Sequence, residues 1–135
     1  DLVGDIELEA VEFFESTDDS GMNTIAASGS RRGYPSRPKR QITLDQFCAD
    51  RDLSPELIKI DTEGAEVRIL QGAVTVLRQH RPTLFLSVHP RHITELGSSL
   101  DDLELLLQDL EYRVTDMDGD EVRPLELTEY LVRPR

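Results

Sequence analysis

The fold is indicated first by residues 57–66, LIKIDTEGAE, in which the spacing of apolar residues changes halfway. Leu57–Ile60 is a short β-favouring run, and the chain after Asp61 carries apolar residues at helical spacing. Gly64 lies between the two patterns and permits a tight turn of the backbone. The stretch therefore predicts a strand that ends at Asp61 and a helix that follows at once.

The chain beyond this point continues to alternate strands with helices. The first helix is expected to kink or restart at Gly72, and Thr83–Val88 is typical of a strand buried on both faces. Ser99 can cap a second helix with a leucine stripe, and Tyr112–Thr115 and Glu129–Arg133 are the last predicted strands. This order predicts an α/β fold with a mostly parallel sheet, right-handed crossovers and an antiparallel pair at the edge.

The first forty residues have less regular patterning. Ile6–Ser16 alternates imperfectly, which predicts one strand or a hairpin around Glu9. Ser28–Arg40 is rich in Gly, Ser, Pro and Arg and is interpreted as a basic loop. Its segment Arg31–Arg40 could attract an anionic substrate, although such loops are more often solvated connections.

A short helix is predicted at the start of the α/β core. Thr43 begins a sequence with capping-box spacing, and the helix after it should direct Phe47 inward. We therefore interpret residues 1–135 as a single domain, divided into a hairpin with a basic loop (1–41) and an α/β core (42–135).

The composition limits the class of protein. Among 135 residues, 38% are hydrophobic and 31% are charged, as in ordinary globular domains. The net charge of −12 disfavours nucleic acid, because neutralising phosphates requires clustered Lys and Arg. The single cysteine, Cys48, excludes an intrachain disulfide and fits a reducing compartment. No apolar run is long enough for a membrane span and no signal peptide is visible, so we expect a cytoplasmic protein.

Three carboxylates and a lysine surround the first strand end. Asp61, Glu63 and Glu66 fall within six residues, where ligands bind in open α/β sheets. The spacing alone fits helix capping as well as it fits catalysis. Lys59 interrupts an apolar strand, where an unpaired ammonium would be costly, so it should have a carboxylate partner.

A histidine follows the second strand end. His89 comes directly after Thr83–Val88, and an imidazole at this place can act as a general base. A lone histidine is usually only hydrogen-bonded, but the position opposite Asp61 favours function. His80 and His92 are interpreted as helix-end and loop residues without a role.

Several segments resemble the FkbM-type methyltransferases, and together they span nearly the whole chain. Residues 57–73, LIKIDTEGAEVRILQGA, are similar to the signature of this family. Other segments of the chain that resemble the family are SGMNT (Ser20–Thr24), ITLDQF (Ile42–Phe47), Arg81–His89 and YLVRP (Tyr130–Pro134). The resemblance implies a Rossmann-like class I fold. It also implies S-adenosylmethionine-dependent methyl transfer to a hydroxyl of a glycan or natural product.

The resemblance also implies roles for the residues at the strand ends. Asp61 would lie beside the transferred methyl group, and either Asp61 or His89 would accept the substrate's proton. Glu63, Glu66 and Lys59 would orient the site. Apart from the resemblance, Asn23 and Thr24, which follow Ser20–Met22, are candidates to line the cleft.

The sequence departs from the family in two places. Ser87 occupies a position that is usually acidic, two residues before His89. No Gly-x-Gly stretch followed by a helix is present, and the first residue is not Met. We therefore expect the C-terminal part of a domain, truncated at its N-terminus, with the main cofactor-binding elements upstream. Such a part would expose a sheet edge and be marginally stable or self-associate.

Two other functions compete with this one. A degenerate, non-catalytic module that does not bind cofactor alone would explain the absent glycine-rich loop. A metal-dependent enzyme would use Asp61, Glu63 and His89 as ligands, since hard cations prefer carboxylate oxygens. We favour the metal-free methyltransferase.

Overall fold

A computed structural model describes residues 1–16, 23–25 and 33–135. The described strands are β1 (Leu2–Val3), β2 (Leu8–Phe14), β3 (Ser36–Ile42), β4 (Leu57–Ile60), β5 (Thr83–Ser87), β6 (Tyr112–Thr115) and β7 (Glu129–Pro134). The described helices are α1 (Leu44–Ala49), α2 (Glu66–Gln71), α3 (Val74–His80), α4 (Pro90–Glu95) and α5 (Leu100–Asp109). The fold is therefore mixed α/β, as predicted.

The larger sheet has four strands in the order β4-β5-β7-β6. Strands β4 and β5 are parallel, while β7 is antiparallel to both of its neighbours. The predicted antiparallel pair at the edge is confirmed. The prediction of a mostly parallel sheet is confirmed for strand direction, because β4, β5 and β6 all run the same way and only β7 is reversed. Because β7 inserts between β5 and β6, however, only one pair of neighbouring strands in this sheet is parallel.

The core lies between one face of this sheet and the helices. Alternate residues of the two central strands are fully buried there, as for Leu84 and Val132. They pack in one cluster with Leu70 of α2, Leu77 of α3 and Leu107 of α5. Each such side chain stabilises the fold by roughly 1.5–3 kcal/mol relative to an exposed one. The leucine stripe predicted for α5 is confirmed, as is its capping box at Ser99.

The smaller sheet has the order β1-β3-β2 and corrects two predictions. Glu9 lies inside the single strand β2, so there is no hairpin around it; a register irregularity between Leu8 and Val11 explains the broken alternation. The second half of the predicted basic loop is strand β3. Pro38 is tolerated in β3 because the short β1 pairs only with the end of that strand.

Two basic residues in the described part of this segment, Arg37 and Lys39, pair with a carboxylate of the chain. Arg37 Nε lies 3.3 Å and Lys39 Nζ 3.5 Å from the carboxylate of Glu15. Arg31 and Arg32 lie outside the described residues. The charges of these two residues of β3 are thus partly neutralised by Glu15, which directly follows β2.

The helix interrupted at Gly72 restarts with a cap from elsewhere in the chain. Ala73, the N-cap of α3, has no polar side-chain group that could cap the helix. Instead the carboxylate of Asp45 in α1 accepts hydrogen bonds from the amides of Thr75 and Val76, both at 2.9 Å. Because the Gly4 carbonyl lies where a Cβ of Gly72 would be, this corner also ties the small sheet to the helices.

Helix α1 begins as predicted, with the Thr43 hydroxyl accepting a hydrogen bond from the amide of Gln46 at 3.0 Å. The expectation that Phe47 points inward is wrong. Cys48 is the buried residue of this helix, and the Phe47 ring is half-buried beneath the guanidinium of Arg51, 4.1 Å from the ring centre.

Candidate functional site

Two strand ends meet because β4 and β5 are parallel and in register, with Ile60 opposite Leu86. Asp61, which follows Ile60, and Ser87, which follows Leu86, therefore lie side by side. Beyond them run two connections, one to α2 and one to α4. All of the residues predicted to act at the site lie on these strands and connections.

The deepest contact of the site joins Glu66 to His89. Glu66 begins α2 and its side chain is 0% exposed, while His89 is the N-cap of α4. Oε1 of Glu66 lies 2.6 Å from Nδ1 of His89 and 3.4 Å from the amide of Gly64. Oε2 has no hydrogen-bond partner among the described residues. Burial raises the pKa of Glu66 although His89 opposes the shift.

The carboxylate of Glu63 lies between two imidazoles. Its Oε2 is 2.6 Å from Nδ1 of His92, and its Oε1 is 4.0 Å from Nε2 of His89. The two rings are stacked, with centres 6.2 Å apart and planes at 14°. The residues therefore form a row in which carboxylates and imidazoles alternate, from the buried Glu66 to His92.

Sequence reasoning missed His92 because it did not predict α4. The available signals were Pro90, which favours the first position of a helix, and the spacing of three residues between His89 and His92. The same spacing separates Glu63 from Glu66, so the two pairs can face each other.

A glycine makes the close approach of the two connections possible. Gly64 has φ +102°, a region that residues with a Cβ rarely adopt. A Cβ here would also lie 2.5 Å from the carbonyl carbon and oxygen of His92. The turn after β4 can therefore hold α4 at this distance only with glycine at this position.

Lys59 and Asp61 form a more exposed pair. Lys59 Nζ donates to Oδ2 of Asp61 at 3.0 Å, and the side chains are 64% and 46% exposed. The hydrogen bond raises the pKa of Lys59 and lowers the pKa of Asp61, which Ser87 also lowers by hydrogen bonding. The predicted carboxylate partner of Lys59 is thus Asp61. Its ammonium avoids burial because it lies on the sheet face opposite the helices.

An open cleft of about 670 Å³ runs along the free edge of β4, towards the small sheet. Its polar lining includes Lys59, Asp61, Thr62 and Glu63, and its apolar lining includes Val3, Phe13, Leu44, Ile58, Ile60 and Ile69. Asn23 and Thr24 line it as expected, and the hydroxyl of Thr24 donates to the backbone carbonyl of Glu63 at 3.4 Å.

Not every predicted site residue reaches this cleft. Asp61, Glu63 and Lys59 line it, whereas His89, His92 and Glu66 do not. The contact between His89 and Glu63 therefore places the imidazole behind a carboxylate that faces the cleft. A bound molecule in the cleft would meet Asp61 and Glu63 first.

The metal-ligand set considered from the sequence is not assembled. Within the described ranges, no group of three or more His, Cys, Asp or Glu side chains is arranged to hold a metal ion. The reason lies in their pairing: Asp61 turns to Lys59, and His89 turns to Glu66.

Every helix in the described part of the chain is too short or too polar to cross a lipid bilayer.

Comparison with known proteins agrees with this geometry at the level of family. The model of the methyltransferase FkbM domain matches residues 3–114, which is most of the chain. Searches of curated proteins and of solved structures give no significant match. The matched range includes the Asp61–Glu66 turn, the His89 connection and most of the lining of the cleft between the two sheets. The chain belongs to the FkbM methyltransferase family.

Proposed function

We propose that this protein transfers a methyl group from S-adenosylmethionine to a hydroxyl oxygen of a glycan or natural-product acceptor. The observation that supports this proposal best is the cleft beside the β4 end. There, in a chain of a methyltransferase family, two carboxylates face the opening and a buried carboxylate–histidine pair lies behind them.

The residues of the cleft fit the methyl donor. A volume of about 670 Å³ lies in the range of small-molecule sites. The apolar side chains Val3, Ile58 and Ile69 offer a surface for an adenosine group, and Asp61 and Glu63 would attract a positively charged sulfur. When bound, S-adenosylmethionine would supply an electrophilic methyl group.

Asp61 would orient the acceptor rather than hold its proton. Because the hydrogen bond from Lys59 lowers the pKa of Asp61, this carboxylate is ionised at neutral pH and is a weak base. It can accept a hydrogen bond from the acceptor hydroxyl and align its oxygen with the methyl group. Alignment of this kind accounts for a large part of catalysis in group transfer.

His89 would receive the proton that the hydroxyl releases. Its Nδ1 is held by Glu66, which fixes the ring and leaves Nε2 directed towards Glu63 at 4.0 Å. The proton would reach Nε2 by way of the Glu63 carboxylate, which lines the cleft. Glu66 and Glu63 would then stabilise the imidazolium between them.

The test is methyl transfer by the full-length protein from methyl-tritiated S-adenosylmethionine to a panel of glycosides and polyols. We expect labelled product with at least one acceptor, and a loss of about 100-fold in kcat in the His89→Ala variant. Calorimetric titration with S-adenosylmethionine should show binding that survives in this variant. A protein that binds no S-adenosylmethionine and labels no acceptor would overturn the proposal.

A further inference from the structure

We propose that His92 is a positioning residue that holds the carboxylate of Glu63 against the cleft, an inference that rests on the proposed methyl transfer. His92 does not line the cleft, and it meets the His89–Glu66 pair only by ring stacking on His89, with centres 6.2 Å apart, whereas its close polar contact is with Glu63. Its effect on the reaction would therefore pass through Glu63.

The first argument is the distance between the two side chains. Nδ1 of His92 and Oε2 of Glu63 are 2.6 Å apart. At this distance a protonated Nδ1 forms an ion pair with the carboxylate, although Nδ1 has no partner with hydrogen-bond geometry among the described residues. The pair is also partly shielded from water, with 16% of the His92 side chain and 24% of the Glu63 side chain exposed. An ion pair that is partly shielded in this way is stronger than one on an open surface.

The second argument is that the backbones of both partners are fixed. Gly64 leaves no room for a Cβ against the backbone of His92, so the residue after Glu63 packs directly on α4. Thr24 donates to the carbonyl of Glu63 from the other side. The backbone of Glu63 is thus held in place by these two contacts, and His92 restrains the carboxylate at the other end of the side chain.

The third argument is the place to which this restraint is applied. Glu63 lines the cleft and its other oxygen faces His89. A carboxylate free to rotate would lose either its contact with the acceptor or its contact with Nε2 of His89. A restraint on Oε2 keeps Oε1 in line with the proposed path of the proton. By contrast, the pair Arg91–Glu95 on the same helix has an arginine that is 81% exposed, and neither residue lines this cleft.

The experiment compares His92→Leu, His92→Asn, Glu63→Gln and the double variant His92→Leu/Glu63→Gln in the methyl-transfer assay. Asparagine can place an amide nitrogen near the position of Nδ1, whereas leucine cannot donate. We expect His92→Leu to lower kcat about tenfold or more with little change in KM for S-adenosylmethionine. We expect His92→Asn to stay within about threefold of the wild-type protein, and His92→Leu to add nothing once Glu63 is replaced.

Independent losses in the double variant, or equal losses in His92→Leu and His92→Asn, would overturn the positioning role. A control is His80→Leu, which replaces an exposed histidine outside the site and should leave kcat unchanged.

A second readout does not depend on activity. Proton NMR should show a slowly exchanging imidazole proton from His92 that disappears in Glu63→Ala. Its absence from the wild-type spectrum would overturn the positioning role whatever the activity. A wild-type protein that neither transfers methyl groups nor binds S-adenosylmethionine would instead overturn the proposed function. In that case the imidazole proton signal alone would test whether His92 holds Glu63.

Discussion

The buried carboxylate of Glu66 lies 2.6 Å from Nδ1 of His89, although the two residues are 23 positions apart and belong to different connections. This contact fixes the first residue of α2 against the N-cap of α4. Oε2 of the same carboxylate has no hydrogen-bond partner among the described residues, which makes the ionised form costly. The contact therefore affects both the stability of the fold and the orientation of the His89 ring.

The raised pKa of Glu66 predicts how stability changes with pH. Its folded-state pKa lies above the ordinary value of 4.5 because of burial. The resulting stabilisation is present below about pH 4.5 and is lost as the pH rises through the folded-state pKa. The Glu66→Gln variant cannot ionise, so its free energy of unfolding should improve relative to the wild type between pH 4.5 and 7.5. Each unit of raised pKa corresponds to about 1.4 kcal/mol of this change.

Urea denaturation of the two proteins at a series of pH values measures this difference. A difference in free energy of unfolding that stays constant, or moves against Glu66→Gln as the pH rises, would contradict the assignment.

Replacing Gly64 with alanine should be costly for two reasons. The backbone has φ +102°, and the new Cβ would lie 2.5 Å from the carbonyl of His92. Gly97 offers a matched control, because its φ is +85° but nothing lies within 4 Å of the added Cβ. We expect Gly64→Ala to lower the free energy of unfolding by roughly 1–3 kcal/mol more than Gly97→Ala does. Equal losses in chemical denaturation would mean that α4 does not pack on this turn.

Replacing Asp61 with asparagine should separate activity from stability. The pair of Asp61 with Lys59 is exposed, so its loss should leave the urea midpoint close to that of the control Asp109→Asn. Asp109 forms a similarly exposed pair with Arg78, at 2.9 Å. We expect kcat for methyl transfer to fall about 100-fold in Asp61→Asn and not in the control. Unchanged turnover would remove Asp61 from the reacting residues.

The cap that Asp45 supplies to α3 should be measurable without any assay of function. Asp45→Ala would leave the amides of Thr75 and Val76 without these hydrogen bonds. We expect a loss of about 1 kcal/mol in the free energy of unfolding, as for other helix caps. Replacement of Glu56, an exposed residue before β4, by alanine should change stability little. A loss in Asp45→Ala no larger than in this control would show that the cap is not important.

Much of the fold could be predicted because local signals agree with the tertiary structure. The strand β4, the break at Gly72 and the capping box at Ser99 each depend on residues close in sequence. The pairing of β7 between β5 and β6 could not be predicted in this way. Strand order depends on which elements pack together over long distances, and periodicity contains no such information.

In the site, too, local features could be predicted from the sequence and long-range contacts could not. Asp61 and His89 were recognised because they follow strands, and parallel strand ends meet at one edge. The pairing of Glu66 with His89 and of Glu63 with His92 depends on α4, which the sequence pattern did not reveal. Likewise, the ion pairs of Arg37 and Lys39 depend on Glu15, which the pairing of β2 with β3 brings beside them.

The most direct test of the proposed function is transfer of tritium from methyl-labelled S-adenosylmethionine to glycosides and polyols, measured for wild-type protein and for His89→Ala. The proposal predicts labelled acceptor with the wild type, and about 100-fold lower kcat with His89→Ala at unchanged binding of S-adenosylmethionine. Equal labelling by both proteins would contradict the role of His89 as proton acceptor. No labelling and no binding by the wild type would contradict methyl transfer itself.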